Sequence, residues 1–171
     1  MKVEIVDNFL SDYQADSYIK LFNGLQKGVG TFPWYFCDDL NNKKRSGNFY
    51  FNNTAIENNK VLNYNWLPHF EPLTTRLGLS FEEIWRLKVN LYPRTQRRVH
   101  HSSHKDYPPK SGLKTCLYYV NTNNGYTKFD GTFKSVKSKK NRAIFFDGSN
   151  SHHSTTPTDC NYRCSINIDY R

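Results

Sequence analysis

IWRLKVNLY at residues 84–92 opens a series of short aromatic and β-branched runs that fills the second half of the chain. Four more runs follow it: LKTCLYYVN (113–121), YTKFDGTF (126–133), NRAIFF (141–146) and YRCSINIDY (162–170). The turn-forming segments YPPKSG, NTNNG and DGSNS separate them. Many short strands in close succession favour a β-sandwich or barrel over alternating βαβ units.

The first half of the chain is predicted to contain helices as well as strands. VEIVDNF (3–9), residues 32–36 and residues 47–52 are typical of strands. Ser11 is a suitable N-cap for a helix from about Asp12 to Gln26, ended by Gly28 and Gly30, and a second helix is predicted over 64–77. We therefore predict an α+β fold, mainly β, with helices packed on one sheet of a jelly roll. One domain is expected over 1–171, in which 1–83 supports a core at 84–171.

Composition and charge limit the cellular compartments and the binding partners that we expect for this protein. The four cysteines, Cys37, Cys116, Cys160 and Cys164, form no CxxC pair, which favours free thiols in a reducing compartment. No signal peptide or long apolar run is present, so we expect a cytoplasmic protein without a membrane partner. A net charge of +9 makes nucleic acid a candidate partner, and an ordinary solvated surface is the alternative. The basic residues cluster at 43–45, 94–98 and 134–142, and the last cluster is predicted to be a lysine-rich turn.

The last strand has two chemically different faces. Strand periodicity of two places Tyr162, Cys164, Ile166 and Ile168 on one face and Arg163, Ser165, Asn167 and Asp169 on the other. The polar face lines a cavity or faces solvent, and periodicity alone leaves both open.

Five of the six histidines fall in two clusters, which suggests a metal site. In an extended segment, the spacing of His104 and Asp106 puts both side chains on one face. His152 or His153 could add a third ligand. Two imidazoles and one carboxylate form the facial triad typical of non-haem Fe(II), with open positions for a co-substrate and O₂. A short HxD sequence is a weak signal by itself.

Arg163 adds a second element to this site. A permanently charged guanidinium on the polar face, with Ser165 beside it, could bind the distal carboxylate of a dicarboxylate, and the phenol of Tyr119 could assist. The alternative for Arg163 is a structural ion pair with Asp159 or Asp169.

These segments together resemble the prolyl 4-hydroxylase-like branch of the 2-oxoglutarate/Fe(II) oxygenases, particularly small stand-alone proteins of phage type. The resemblance is carried by NLYP (90–93), HKD (104–106), TCLYYVN (115–121), GYTKF (125–129), NRAIFFDGSNSHHSTTPTD (141–159) and YRCS (162–165), with DNFL and FPWYF in the first half. It implies a double-stranded β-helix, the cupin-like jelly roll.

The resemblance also implies cofactors and a ligand set. Fe(II) would be bound by His104, Asp106 and the distal histidine. The co-substrate 2-oxoglutarate would place its far carboxylate on Arg163 and Tyr119, with Ser165 on the same face and Tyr92 and Asn90 at its metal-binding end. O₂ is the other substrate, and ascorbate is a further candidate cofactor. The spacing from Phe146 favours His152 as the distal ligand, the spacing from Arg163 also admits His153, and we choose His152.

The predicted activity is dioxygenase hydroxylation of a C–H bond, coupled to decarboxylation of 2-oxoglutarate to succinate. A peptidyl proline in a protein or peptide is the leading target, and the location would be the host cytoplasm if a phage encodes the chain. Residues 38–50 and the 94–103 loop, with Arg97, Arg98, His100 and His101 near the metal, are candidate substrate selectors. Two alternatives remain on the same jelly roll: a metal-free or Zn-binding interaction module, and a basic protein that binds or modifies nucleic acid. The sequence does not predict the oligomeric state.

Overall fold

The computed structural model describes residues 2–25, 31–38, 49–132 and 134–171. Its elements are β1 (Val3–Asp7), α1 (Asp12–Phe22), β2 (Tyr35–Cys37), β3 (Tyr50–Glu57), β4 (Lys60–Val61), α2 (Glu71–Leu77), β5 (Ile84–Pro93), β6 (Lys114–Tyr119), β7 (Tyr126–Phe129), β8 (Ser135–Lys137), β9 (Arg142–Asp147), β10 (His152–Ser154) and β11 (Tyr162–Tyr170). The predicted helix end at Gly28 and Gly30, the start of the 47–52 strand and the basic cluster at 43–45 lie outside the described residues.

Two antiparallel sheets make up the body of the protein. The large sheet has the strand order β1-β9-β6-β11-β5-β3-β2, with β4 paired to β3, and the small sheet has the order β10-β7-β8. Isolated bridges join His100 to Thr155 and His104 to His152, so the segment before β6 runs along the outer edge of β10. This is the predicted jelly roll of the α+β class.

The helices cover one face of the large sheet. Ser11 caps α1 through a reciprocal capping box, in which its hydroxyl accepts from the Gln14 amide at 3.3 Å and the Gln14 side chain accepts from the Ser11 amide at 3.1 Å. The helix ends at Phe22, four residues before the predicted end, and Gly24 follows with φ +68°. The predicted helix at 64–77 divides into a 3-10 turn (Tyr64–Phe70) and α2, because Pro68 cannot donate an α-helical hydrogen bond.

The predicted turn at 134–142 was wrong in part. Residues Ser135–Lys137 form β8, whose central Val136 is 4% exposed and packs between the sheets. The flanking lysine-rich composition hid this strand, because only one apolar side chain in it points inward.

The two faces of β11 differ as predicted, and the polar face is buried. Cys164, Ile166 and Ile168 belong to the core under the helices. Arg163 and Asp169 are 1% and 0% exposed and face the space between the two sheets. The polar face therefore lines a cavity rather than solvent.

Two further sequence predictions concern cysteines and membranes. Cys116, Cys160 and Cys164 are free thiols. No helix among the described residues is long and apolar enough to span a membrane.

Candidate metal and co-substrate site

A cavity of about 250 Å³ opens between the two sheets. Its walls are mainly polar and come chiefly from β5 and β11 on one side and from β7, β10 and the segment before β6 on the other. The lining side chains are Tyr50, Arg86, Lys88, Asn90, Tyr92, His104, Lys105, Asp106, Leu117, Thr127, His152, Ser154, Arg163, Ser165 and Asn167.

His104, Asp106 and His152 converge in this cavity, with one donor atom of each lying within 4.8 Å of the others. The backbone brings them together, because His104 and His152 exchange two amide-to-carbonyl hydrogen bonds of 2.9 Å. Nε2 of His104 lies 3.9 Å from Oδ1 of Asp106, and Nε2 of His152 lies 3.6 Å from Oδ2. Such a set of donor atoms suits a divalent transition metal with open coordination positions.

Backbone carbonyls orient both imidazole rings. Nδ1 of His152 lies 2.9 Å from the Asn150 carbonyl, and Nδ1 of His104 lies 3.4 Å from that of Ser102. Proton donation from Nδ1 leaves Nε2 with a free lone pair toward the other donors. Burial, and after it the neighbouring His152, lower the pKa of His104, so its ring is neutral and able to ligate near neutral pH.

Asp106 is ionised and has one carboxylate oxygen available to a cation. Its Oδ1 accepts a 2.7 Å hydrogen bond from Arg86, whereas its Oδ2 is buried without a hydrogen-bond partner. Burial acts to raise the pKa of Asp106, but the Arg86 charge and the two histidines outweigh it and hold this pKa below its usual value. A buried ionised oxygen without a partner is costly, and a metal ion would satisfy it.

The adjacent histidines His152 and His153 point to opposite faces of the small sheet, as successive residues of a strand do. His152 points into the cavity, while His153 points to the other face of the small sheet, where its Nδ1 lies 3.3 Å from Asp130 and 3.2 Å from Ser103. Only His152 of the pair lies with His104 and Asp106.

Arg163 lies fully buried in the wall of the same cavity. Its Nε donates to Ser138 at 2.7 Å and one Nη donates to Thr127 at 3.0 Å, but Nη1 has no partner. Neither predicted ion-pair partner holds it, since Asp169 pairs with Arg86 and Asp159 accepts from the Asn124 amide. A buried guanidinium with an open donor fits an incoming carboxylate.

The other expected co-substrate residues fall in two groups. Tyr92, Ser165 and Asn90 line the cavity, and Asn90 donates to Asn167 at 3.2 Å. Tyr119 is absent from the described lining residues; it lies behind Arg163, with its ring 5.4 Å from the guanidinium, and donates to Thr127 at 2.8 Å. Its contact with Thr127 and Arg163 places it as a support for the guanidinium.

The 94–103 loop is only partly near the candidate metal site. His101 reaches the cavity wall, where its ring lies 4.8 Å from Tyr92 and its Nδ1 lies 2.6 Å from Ser154. Arg98 and His100 instead contact Tyr126, an outward-facing residue of β7. Of the basic residues expected near the metal, His101 therefore contacts residues of the cavity wall, whereas Arg98 and His100 contact the outer face of the small sheet.

Sequence reasoning missed several residues of the site. Arg86 and Lys88 lie on the same face of β5 as Asn90 and Tyr92, because all four stand at every second position of the strand. The period of two could therefore have identified them. No comparable signal marks the hydroxyl residues that hold Arg163, because only folding brings Thr127 and Ser138 to it.

Two solved structures with a similar fold are prolyl hydroxylases. A viral collagen prolyl hydroxylase from Paramecium bursaria Chlorella virus-1, in complex with 2-oxoglutarate, is 16% identical with a TM-score of 0.57, covering 99% of this chain and 96% of that one. A prolyl hydroxylase from Trichoplax adhaerens, in complex with a hypoxia-inducible-factor peptide fragment, is 19% identical with a TM-score of 0.57, covering 98% and 82%. The chain has the fold of these hydroxylases.

A third similar structure carries out different chemistry. The non-haem α-ketoglutarate-dependent epimerase SnoN from nogalamycin biosynthesis is 13% identical with a TM-score of 0.67, covering 98% of this chain and 77% of that one. No family model matches the chain. No curated protein matches it either. The likeness therefore concerns the fold, which is the fold expected from the motifs.

Proposed function

We propose that this protein is a 2-oxoglutarate- and Fe(II)-dependent dioxygenase that hydroxylates a C–H bond. The observation that carries the proposal is a pair of unsatisfied buried groups on one cavity, Oδ2 of Asp106 and Nη1 of Arg163. A divalent metal satisfies the first and a carboxylate satisfies the second. A metal ion that carries one end of a dicarboxylate, whose other end reaches Arg163, accounts for both.

The residues that line the cavity and support Arg163 divide the roles in this proposal. His104, Asp106 and His152 hold Fe(II), and Arg163 binds the far carboxylate of 2-oxoglutarate with Thr127 and Tyr119 fixing the guanidinium. Tyr92, Asn90 and Ser165 line the space along the co-substrate and exclude water from it. When bound, Fe(II) with 2-oxoglutarate and O₂ supplies the oxidation that hydroxylates substrate and releases succinate and CO₂.

We propose a peptide as the substrate, with proline as the residue to test first. Two similar structures are prolyl hydroxylases, and one of them was solved with a peptide fragment. The nucleic-acid alternative has less support among the described residues. Within the basic stretch 134–142, Lys139 and Arg142 pair with Asp7, and Lys140 pairs with Asp16, so much of its charge is neutralised locally.

The test is anaerobic Fe(II) titration followed by measurement of succinate formed from 2-oxoglutarate. We expect the wild-type protein to bind one Fe(II) and to form succinate slowly without substrate. The double variant His104→Ala/Asp106→Ala should lose both properties, because it lacks two of the three ligands.

His153→Ala is the matched control, since this histidine neighbours His152 but faces away from the cavity. It should bind Fe(II) as the wild type does. Unchanged Fe(II) affinity in the double variant, or its loss in the control alone, would refute the ligand assignment. A preference for Zn²⁺ without succinate formation would instead support the interaction-module alternative.

A further inference from the structure

The cavity holds more positive charge than iron and co-substrate require. Among the described residues that line it, Arg86, Lys88, Lys105 and Arg163 are cationic, whereas Asp106 alone is a carboxylate. Fe(II) and the 2-oxoglutarate dianion bring equal and opposite charges. Their binding would leave the excess of positive charge in place, and a further anion would be needed to balance it.

Arg86 does not contribute to this excess of positive charge, because two carboxylates neutralise its guanidinium. Its guanidinium donates to Asp106 and to Asp169, each at 2.7 Å. Asp169 is completely buried and also accepts from Thr115 at 2.7 Å and from Tyr107 at 3.0 Å. Arg86 therefore belongs to a closed network that holds the metal carboxylate in place.

Lys88 is different, because among the described residues no carboxylate pairs with its ammonium. Its Nζ donates to the Tyr50 hydroxyl at 3.3 Å and lies 5.4 Å from the centre of that ring. Burial, and then the Arg86 charge, lower the pKa of Lys88, as expected for an ammonium drawn out of water beside another cation. A phenol does not neutralise a partly buried ammonium, so the charge of Lys88 remains available to an anion that comes from elsewhere.

The position of Lys88 points to the substrate rather than to 2-oxoglutarate. Arg86, Lys88, Asn90 and Tyr92 share one face of β5, and successive members of this row stand about 7 Å apart. Arg86 marks the metal end, where it holds Asp106, and Tyr92 packs on Arg163 at the co-substrate end. The far carboxylate of 2-oxoglutarate belongs at Arg163 and its other carboxylate on the metal, so Lys88, which follows Arg86 in this row, is left for another molecule.

We infer that Lys88 binds a carboxylate of the substrate, and that the substrate is an acidic peptide with an Asp or Glu side chain close to the hydroxylated residue. This inference rests on the proposed function. One ammonium and one phenol match the two oxygens of a carboxylate, whereas phosphate groups are usually gathered by several N–H donors or arginines. The exposed Lys105 at the rim of the cavity adds attraction for the same acidic segment.

The test uses three sets of proline-centred peptide libraries with Glu, Gln or Lys fixed next to the proline. Hydroxylated peptide is measured as a gain of 16 Da, a mass defined by one oxygen atom, with iron, 2-oxoglutarate and O₂ present. We expect the wild type to prefer Glu over Gln peptides by at least about tenfold, the effect of losing one charge-assisted hydrogen bond. Lys88→Glu should reverse the preference toward Lys peptides, and Lys88→Gln should abolish it without reversal.

Lys137→Glu is the matched control. Lys137 is an exposed lysine of β8 away from the cavity, so this substitution makes the same charge change without touching the site. It should keep the preference for Glu peptides, and thermal melts show whether each variant is folded. Four results would overturn the inference: equal use of Glu and Gln peptides, no hydroxylation of any peptide, turnover of phosphopeptides or oligonucleotides instead, or a Lys88 effect confined to the affinity for the co-substrate. Succinate formation without peptide tests the proposed function separately, so the two failures can be distinguished.

Discussion

At the scale of single residues, Gly125 determines whether Arg163 can reach the cavity. A Cβ atom at this position would lie 2.8 Å from Cδ of Arg163 and 2.8 Å from the Asn123 side chain. Both neighbours are buried, and the arginine is further held by Ser138 and Thr127. The glycine is therefore needed for close packing against the guanidinium chain, not for an unusual backbone conformation.

Gly125→Ala should weaken 2-oxoglutarate binding while leaving iron binding intact. The added methyl displaces Arg163, and a lost charge-assisted contact of about 1.5–3 kcal/mol raises the Kd roughly tenfold to a hundredfold. Titration of the Fe(II)-loaded protein with 2-oxoglutarate measures the effect. Gly131→Asn is the control, since this glycine has φ +69° and open space around it, which asparagine tolerates. A wild-type Kd for Gly125→Ala would show that Gly125 does not determine the position of the Arg163 guanidinium.

At the scale of elements, Asn141 joins the start of α1 to the large sheet. Its side chain accepts from the Leu10 amide and donates to the Leu10 carbonyl, both at 2.8 Å, and it accepts from the Tyr118 hydroxyl at 3.3 Å. The residue is 2% exposed and has φ +62°, a conformation that asparagine adopts more readily than most residues. One side chain thus replaces the backbone pairing that the chain loses where β1 turns into α1.

Asn141→Gly should destabilise the protein by about 3 kcal/mol, because two buried backbone groups of Leu10 lose their partners. Glycine keeps the positive φ, so the change isolates the side-chain hydrogen bonds. Urea denaturation gives the free energy of unfolding. Asn8→Gly is the matched control, since Asn8 is an exposed asparagine with φ +53°. Similar losses in both variants would mean that backbone conformation, not hydrogen bonding, sets the effect.

Among the strands and the residues that they carry, some could be predicted from the sequence and others could not. The strands of residues 84–171 were predictable where apolar residues repeat with period two, as in β5 and β11, or follow one another without a break, as in β6. The short β10 was not, because its three residues, His152–Ser154, carry no apolar pattern. His104 and Asp106 were found from their spacing. Lys88 was missed because a charged residue on a strand usually faces solvent, although the period of two puts it on the same face of β5 as Asn90 and Tyr92.

At the scale of the whole molecule, the net charge of +9 acts together with the charged cavity. Part of the basic surface is neutralised at short range by Asp7 and Asp16. The remaining positive charge produces a field that attracts an acidic peptide before any specific contact forms. Lys88 would then select the peptide within the cavity, so attraction and selection are separate steps with different salt dependence.

Ionic strength should therefore separate these two steps. For a Glu-containing peptide we expect kcat/KM to fall severalfold between about 20 mM and 200 mM NaCl, because the Debye length shortens from roughly 20 Å to 7 Å. The matched Gln peptide should change little. The ratio of the two peptides should stay above unity even at high salt, since a partly buried ammonium such as that of Lys88 is screened less than surface charge. If high salt removes the whole preference for the Glu peptide, the selection arises from the surface field alone and not from a contact inside the cavity.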